Sequence, residues 1–346
     1  LRGNRILITG SAGSIGSEIV RQVASFSPSS LMLIDSAETP QHDIRRKMAH
    51  DFPSVPCATV VTSITKADRM ENIFKTFLPE YVFHAAAYKH VPMMEDNPCE
   101  SIQNNVLGTK ILADLSVKYG VRRFVMVSTD KAVNPTNVMG CSKRICEVYV
   151  QSLNKAERDG VVKGQTQFIT TRFGNVLGSN GSVIPIFERQ IKAGGPVTVT
   201  DPNIIRYFML IPEACELVLE AGTKGEGGEI FVFDMGKPVR IADLARRMIE
   251  LSGAKGVEIK YTGLRDGEKL YEEVLSESEA TKPSFHEKIR IACVREYDWS
   301  DVSREIDALI AQSHTYDDMA VVASMKRLVP EYISNHSKYT VLDHKA

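Results

Sequence analysis

The sequence lacks the cysteine patterns that build disulfide frameworks and zinc sites. Its six cysteines lie far apart along 346 residues, and no pair of them forms CxxC. Small secreted scaffolds and structural zinc sites both depend on closely spaced cysteines. We therefore expect no metal site, no disulfide framework and a reducing, cytoplasmic compartment.

Long apolar runs and an excess of charge are missing as well. No run approaches the ~20 apolar residues of a membrane span, and no signal-peptide pattern opens the chain. The net charge of −1 gives no reason to expect nucleic acid or an anionic membrane surface as a partner. Because the chain begins at Leu1 and its first predicted strand follows within a few residues, we expect a soluble piece of a longer protein.

The residues that are present predict an α/β protein. Short β-branched runs alternate with amphipathic segments through the first half, as in a parallel sheet covered by helices on both faces. The predicted strands are 5–9, 31–35, 58–62, 81–85, 123–128 and 168–173, and the predicted helices lie near 14–25, 39–51, 66–77, 99–119 and 137–158. We expect a doubly wound sheet domain over 1–175, completed by later segments, a smaller lobe over 176–330 and a polar tail over 331–346.

The segment GSAGSIG (10–16) follows the first strand and opens a helix. Glycines at such a turn let the backbone approach a pyrophosphate, which then lies at the helix N-terminus. The spacing GxxGxxG differs from the commoner GxGxxG, and a tight turn without a ligand is the alternative. The strand–turn–helix context favours a Rossmann-type dinucleotide site. Its first candidate contacts are Gly10, Gly13, Ser14, Ile15 and Gly16.

The ends of the next three strands supply further cofactor candidates. Asp35 ends the second strand, where a carboxylate can accept both ribose hydroxyls of NAD and repel the 2′-phosphate of NADP, or can simply cap the next helix. The third strand ends in TSI (62–64), with Ile64 as the candidate near the adenine. In HAAAYKHVP (84–92), small side chains let a dinucleotide lie against the backbone, and Asn105 beyond it is either a cofactor contact or a buried structural amide. These small residues are Ala85, Ala86 and Ala87.

The candidate chemistry follows the fifth predicted strand, in STDKAVNPTNVMGCSK. Thr129, Asp130 and Lys131 project from the end of that strand, and an adjacent Asp–Lys dyad offers an acid and a base in one small site. The alternative is a solvated ion pair. Lys143, on the next helix, could hold a ribose, but the residue one turn before it is Met139, which cannot transfer a proton as a Tyr there would.

Seven motifs together resemble the nucleotide-sugar 4,6-dehydratases of the extended short-chain dehydrogenase/reductase superfamily, in the polysaccharide-biosynthesis branch that acts on UDP-N-acetylglucosamine. The motifs are GSAGSIGSE, HAAAYKHVPMME, NNVLGT, STDKAVNPTNVMGCSK, RFGNVLGSNGSVIPIF, IRYFM and GLRDGEKLYEE. The resemblance runs over roughly residues 1 to 295. It implies a bound NAD that takes a hydride from sugar carbon 4 and returns it to carbon 6 after water has left.

The resemblance also assigns roles to the dyad and its neighbours. It implies that Asp130 is the acid for the carbon 6 hydroxyl and that Lys131 is the base at carbon 5. Thr129 would hydrogen-bond the carbon 4 hydroxyl, and Lys143 would hold the nicotinamide ribose. The group that deprotonates the carbon 4 hydroxyl stays open between a water, Asp130 and Thr129.

Met139 resembles the residue of one branch of these dehydratases, long proteins with transmembrane helices before the catalytic domain. That branch is thought to retain the configuration at carbon 5. The resemblance therefore implies a parent protein at the cytoplasmic face of the bacterial inner membrane. The superfamily also implies a homo-oligomer, a dimer or higher.

On the substrate side, the resemblance implies contacts with the diphosphate, the uracil and the sugar of a UDP-sugar. Guanidinium groups suit a diphosphate because they donate in pairs. The candidate residues are Lys89, Asn175, Ser182, Val183, Arg206, Arg265 and Glu268. Two other functions remain open: a UDP-sugar 4-epimerase, which needs no Asp–Lys dyad but usually needs the missing Tyr, and a non-catalytic NAD-binding scaffold.

Overall fold

A computed structural model of the chain describes residues 1–273 and 280–343. Its strands are β1 Arg5–Thr9, β2 Ser30–Asp35, β3 Cys57–Val61, β4 Tyr81–His84, β5 Arg123–Thr129, β6 Gln167–Phe173, β7 Asn175–Val176, β8 Val197–Val199, β9 Ile205–Arg206, β10 Phe208–Met209, β11 Ile230–Phe233, β12 Val239–Arg240, β13 Ile259–Tyr261, β14 Thr281–Pro283 and β15 Ile289–Ala292. Its α-helices are α1 Ser14–Ser25, α2 Glu38–Asp51, α3 Ala67–Phe77, α4 Val91–Asp96, α5 Pro98–Ser101, α6 Gly108–Lys118, α7 Val138–Arg158, α8 Val183–Lys192, α9 Ile211–Lys224, α10 Ile241–Ser252, α11 Trp299–Ser313 and α12 Asp318–Leu328. A π-helical stretch, Ile102–Leu107, joins α5 to α6, and 3₁₀ turns lie at Asp130–Ala132 and Lys338–Leu342.

The main sheet has the order β14-β15-β11-β6-β5-β4-β1-β2-β3. Its strands are parallel from β3 to β11, while β15 and β14 run antiparallel at one edge. The register pairs Thr9 with both Ile34 and His84, and Thr129 with Phe173. The carboxyl ends of the central strands therefore meet along one edge, which is where ligands bind in open sheets of this kind.

Helices cover both faces of the main sheet. On one face α1 packs against α9, and apolar residues of α1 such as Ile19 and Val23 are fully buried. On the other face α7 is buried along most of its length, because α11 and α12 pack on its outer side. The predicted class, a doubly wound α/β sheet with helices on both faces, is confirmed.

A smaller lobe lies beyond the sheet and has its own apolar core. Phe187 and Ile191 of α8 pack there with Val197, Val199 and Ile241. Two strands of this lobe, β8 and β13, pair in parallel outside the main sheet. The chain then returns, because β11, β14 and β15 complete the main sheet as later segments were expected to do.

Residues 331–343 do not form a separate polar tail. Tyr332 and Tyr339 are buried, and the Tyr339 hydroxyl donates to the backbone carbonyl of Glu95 at 3.1 Å. Lys326 is buried beside them and pairs with the carboxylate of Asp343. The buried rings of Tyr332 and Tyr339 and the ion pair of Lys326 hold this segment against the first domain. The last part of the expected tail, 344–346, lies outside the described residues.

Within residues 1–273 and 280–343, no helix combines the length and the apolar character needed to cross a membrane.

Candidate active site

A cleft of about 1020 Å³ lies between the carboxyl edge of the main sheet and the smaller lobe. The ends of β1, β4, β5 and β6 form one wall, and residues of α8, β8 and β9 form the other. This volume is at the upper end of the range for small-molecule sites. The cleft brings together most of the predicted site residues from both halves of the chain.

The glycine loop after β1 packs so closely on neighbouring backbone atoms that Gly10 and Gly16 leave no room for a side chain. A Cβ at Gly10, whose φ is +65°, would lie 2.6 Å from the backbone nitrogen of Ala86, and a Cβ at Gly16 would lie 1.9 Å from the carbonyl oxygen of Gly10. Helix α1 begins at Ser14 without a side-chain cap. Its N-terminus therefore offers unpaired N–H groups and a positive dipole end to the cleft, which suits a pyrophosphate.

Asp35 and Ile64 lie behind this loop and are not among the described residues that line the cleft. Asp35 Oδ2 accepts from the backbone N–H of Ala12 at 3.0 Å, and Oδ1 accepts from that of Ala37 at 2.9 Å. Asp35 thus ties the glycine loop to β2 and also orders the start of α2. Ile64 is 4% exposed and packs closely on Gly108. The contacts of both residues with a cofactor stay predictions.

Asn105 is a buried amide that is hydrogen-bonded within the protein, and its contact with a cofactor stays a prediction. Its Oδ1 accepts from the backbone N–H of Tyr88 at 2.8 Å, and its Nδ2 donates to the Tyr88 carbonyl and to Ser142 Oγ, both at 3.0 Å. It lies on the π-helical stretch, a conformation often found near functional sites. Asn105 therefore affects the site indirectly. Its hydrogen bonds hold the segment that contains Ala87 and Lys89, and both of these residues line the cleft.

The dyad after β5 is buried and mutually hydrogen-bonded. Asp130 is 1% exposed, and its Oδ1 accepts from Thr129 Oγ1 at 2.8 Å and from Lys131 Nζ at 3.0 Å. Its Oδ2 is buried without a hydrogen-bond partner among the described residues. A buried acceptor without a partner is costly, so this oxygen has capacity for a further donor. The expectation of a solvated ion pair is excluded by the burial.

Lys131 is held in its charged form by its neighbours. Burial alone would lower the pKa of Lys131, but the carboxylates of Asp130 and Glu272 outweigh it, so that this pKa lies above its ordinary value. The ammonium also donates to Asn175 Oδ1 at 3.3 Å. At rest the dyad is therefore a carboxylate paired with an ammonium, and Lys131 must lose a proton before it can act as a base.

Lys143 and Met139 lie on the cleft side of α7, one turn apart. Met139 is 3% exposed, and its thioether has no proton to transfer. Lys143 makes no hydrogen bond or ion pair with any residue of the described part of the chain. Burial lowers the pKa of Lys143, and the nearby Cys146 and Glu147 only partly offset this effect. A nearly buried ammonium without a partner is available to a ligand.

The predicted substrate-side residues line the opposite part of the cleft. Lys89 Nζ donates to the backbone carbonyl of Asn180 at 3.0 Å, which ties the wall beyond β4 to the segment before α8. Burial, and then the charge of Lys131, lower the pKa of Lys89. Ser182 and Val183 form the start of α8, where Ser182 Oγ is buried without a partner among the described residues.

Arg206 and Arg265 meet through one carboxylate although they are far apart in sequence. Glu268 lies 3.6 Å from the Arg206 guanidinium and 3.2 Å from that of Arg265. Arg206 also donates to the backbone carbonyls of Lys269 and Leu270 at 2.8 and 3.2 Å. The two guanidinium groups thus lie on either side of one carboxylate in the cleft. Their contact with a diphosphate stays a prediction.

Two carboxylates near the site were not singled out from the sequence. Glu272 lies in the motif GLRDGEKLYEE, which was recognised without assigning this residue. Glu147 is fully buried behind β5, where it pairs with Arg172 at 2.6 Å and accepts from Ser128 Oγ at 2.7 Å. Burial would raise the pKa of Glu147, but these partners and Arg144 hold it at about 2. It anchors the strand that carries the dyad.

A family model described as "Polysaccharide biosynthesis protein" matches residues 6–294. The chain is 48% identical over 313 residues to the capsular polysaccharide biosynthesis protein CapD of Staphylococcus aureus, and 46% identical over 310 residues to the probable polysaccharide biosynthesis protein EpsC of Bacillus subtilis (strain 168). These matches cover 90% and 89% of this chain and 51% of each relative. The chain therefore spans about half the length of these curated relatives.

Other similar proteins share the same architecture. A UDP-glucose 4-epimerase of Rickettsia canadensis (strain McKiel) is 34% identical over 286 residues, which cover 80% of this chain and 79% of the relative. Among solved structures, Pen from Bacillus thuringiensis superposes with a TM-score of 0.78 at 30% identity, covering 86% of this chain and 91% of the Pen chain.

Proposed function

Because the chain belongs to the polysaccharide-biosynthesis protein family, we propose that it is a nucleotide-sugar 4,6-dehydratase that binds NAD. Its proposed substrate is UDP-N-acetylglucosamine, and its product is UDP-2-acetamido-2,6-dideoxy-4-keto-hexose for capsule, O-antigen or other glycan synthesis. The observation that carries the proposal is the hydrogen-bonded cluster at the end of β5, in the wall of a cleft, in which Asp130 is buried and Thr129 and Lys131 are half-buried.

The residues on the sheet side of the cleft fit NAD. The backbone surface at Gly10 and Gly16 and the uncapped start of α1 suit its pyrophosphate, and the unpaired Lys143 ammonium suits its nicotinamide ribose. When bound, NAD supplies an acceptor for the hydride of sugar carbon 4 and a donor of the same hydride to carbon 6. All proton transfers fall to residues of this chain.

The first proton, that of the carbon 4 hydroxyl, moves to Asp130 through Thr129. The hydrogen bond from Thr129 Oγ1 to Asp130 Oδ1 supplies the relay, and Met139 offers no competing group. Asp130 begins as a carboxylate, so it can accept this proton. It then holds the proton that the carbon 6 hydroxyl needs in order to leave as water.

The second proton, that of carbon 5, moves to Lys131 and back. Lys131 must first be neutral, and its raised pKa makes the neutral form the minor one at neutral pH. If the same ammonium returns the proton after water has left, carbon 5 is reprotonated on the face from which it was deprotonated. The configuration at carbon 5 is then retained. Asp130 ends as a carboxylate and Lys131 as the neutral amine that began the reaction, once the resting ammonium had released its proton to solvent.

The proposal is tested by incubating the purified chain with UDP-N-acetylglucosamine and recording proton NMR spectra. We expect a new methyl doublet from the 6-deoxy product, and no doublet with an Asp130→Asn variant that still binds NAD. A product that is epimerised at carbon 4 and has no methyl group would reject the dehydratase.

A UDP-sugar 4-epimerase is the second candidate, favoured by the Rickettsia relative. The buried dyad is superfluous in an epimerase, because no water leaves and carbon 5 keeps its hydrogen. The Tyr that an epimerase usually needs is replaced by Met139. A non-catalytic scaffold would bind NAD and give no turnover. The predicted homo-oligomer and the predicted membrane-anchored parent remain predictions.

A further inference from the structure

Glu272 lies beside the dyad, although the roles proposed above do not use it. Its side chain is 5% exposed, and its Oε1 lies 3.7 Å from Lys131 Nζ and 3.7 Å from the Arg206 guanidinium. Both neighbours are also largely buried and line the cleft. Glu272 is therefore a link between the dyad and the proposed diphosphate site.

The link completes a row of alternating charges across the cleft. Each member pairs with the next within 4.0 Å. In order, the members are Asp130, Lys131, Glu272, Arg206, Glu268 and Arg265. Because buried charges are costly unless they are paired, removing an inner member leaves each of its two neighbours with one counter-charge fewer.

Four charged groups decide the proton affinity of Lys131. Asp130 on its own turn and Glu272 from the smaller-lobe side favour the ammonium, while Arg206 and Lys89 oppose it. Asp130 must change its own charge during the proposed reaction. Glu272 takes no part in the proposed proton transfers. Its carboxylate therefore stays beside Lys131 throughout the reaction cycle.

We propose that Glu272 is a positioning residue of the dyad, whose carboxylate holds the Lys131 ammonium between Asp130 and Arg206 and sets the pH at which Lys131 can accept a proton. This inference rests on the proposed function for its kinetic consequence, but not for its charge effect. Without Glu272, Lys131 keeps Asp130 as its one anionic partner among the described residues, and it still faces Arg206 and Lys89. It therefore loses its proton at a lower pH.

The test is the pH dependence of kcat/KM for the wild type and Glu272→Gln, an isosteric change. Because the base must be neutral, activity rises with pH in both proteins. We expect the rising limb of Glu272→Gln to move to lower pH, because the loss of the Glu272 carboxylate lowers the pKa of Lys131. Glu272→Asp keeps the charge, and we expect its limb to lie between the two. A limb that does not move in Glu272→Gln overturns the proposal.

Glu273→Gln is the matched control, because Glu273 is the adjacent carboxylate, is 46% exposed and faces Lys269 instead of Lys131. Its limb is expected to coincide with that of the wild type. A second measurement needs no turnover: the rate of trace acetylation of Lys131 by acetic anhydride, followed across pH by mass spectrometry. The midpoint of this acetylation curve is expected to move to lower pH in Glu272→Gln only. If the acetylation midpoint of Lys131 shifts in Glu272→Gln but the wild type shows no turnover, only the proposed function is rejected. If the midpoint does not shift, the role of Glu272 is rejected.

Discussion

The two walls of the cleft are built in different ways. The wall at the ends of β1 and β4 is made of backbone and small side chains, and its central feature is the approach of Gly10 to Ala86. The opposite wall is made of long charged side chains, among them Arg206, Arg265 and Glu268, that come from separate segments. The dyad lies between them, on a strand of the first wall but paired with a carboxylate of the second.

The difference determines what each wall can tolerate. A backbone surface is damaged by any added atom, whereas a row of charges is damaged by the loss of one member. Substitutions on the first wall should therefore affect NAD binding, those on the second wall should affect KM for the nucleotide sugar, and those between the walls should affect kcat alone.

The largest effect is expected between the walls. Lys131→Ala and Asp130→Asn each remove a proton carrier, and positioned acids and bases contribute about 10²- to 10⁴-fold to rates. We expect kcat to fall by that factor while NAD stays bound, as measured by single-turnover kinetics and by the cofactor content of the purified protein. Lys118→Ala, at an exposed surface pair, is the control. Near-normal rates in both dyad variants would contradict the assigned roles.

A smaller effect is expected on the backbone wall from Gly10→Ala. The new Cβ meets the backbone of Ala86 at 2.6 Å, so the loop must shift. Strain of this kind costs about 1–3 kcal/mol, and we expect weaker NAD binding by calorimetry with a correspondingly lower melting temperature. Gly120→Ala is a matched control, because Gly120 has a similar φ of +68° but open space around its Cβ position. If both variants lost the same NAD affinity, the positive φ of the replaced glycine would explain the loss, and the close approach of Gly10 to Ala86 would not.

The smallest effect is expected on the charged wall from Arg206→Lys. Lysine keeps the charge but loses the paired donors that reach three backbone carbonyls and that would bind the proposed diphosphate. We expect KM for the nucleotide sugar to rise by about tenfold, the equivalent of one charge-assisted hydrogen bond, with little change in kcat or NAD affinity. Arg189→Lys, at an exposed position on α8, should leave KM unchanged. A fall in kcat at constant KM would place Arg206 in the chemistry instead.

The same contrast explains how far the sequence predicts the structure. The first six strands lie within one or two residues of their predicted bounds, and so do α1, α2, α3 and α7. The helix predicted near 99–119 is instead divided into α5, the π-helical stretch and α6, and α4 was not predicted. The central strands were predictable because burial on both faces gives them continuous apolar runs. The glycine loop was predictable because strand, turn and helix are contiguous. The dyad was predictable because Asp130 and Lys131 are adjacent in the sequence and follow Thr129 directly.

The missed features all depend on distant partners. Nothing local marks Glu272 as a neighbour of Lys131, since the two come together only when the smaller lobe folds against the sheet. Asn105 has the composition of a cofactor contact, and only the fold shows its amide engaged with Tyr88. Likewise, the segment after residue 330 is polar on average, and two tyrosines decide that it packs.

The central claim is that Asp130 and Lys131 carry out dehydration, with Lys131 taking and returning the carbon 5 proton. Its most direct test is the reaction with UDP-N-acetylglucosamine in deuterated water, followed by proton NMR. We predict a 6-deoxy-4-keto sugar with retained configuration at carbon 5, whose methyl signal loses its doublet splitting because carbon 5 now carries deuterium. Hydrogen kept at carbon 5 with retained configuration would mean that Lys131 returns the proton before it exchanges, whereas an inverted carbon 5 would contradict proton return by Lys131.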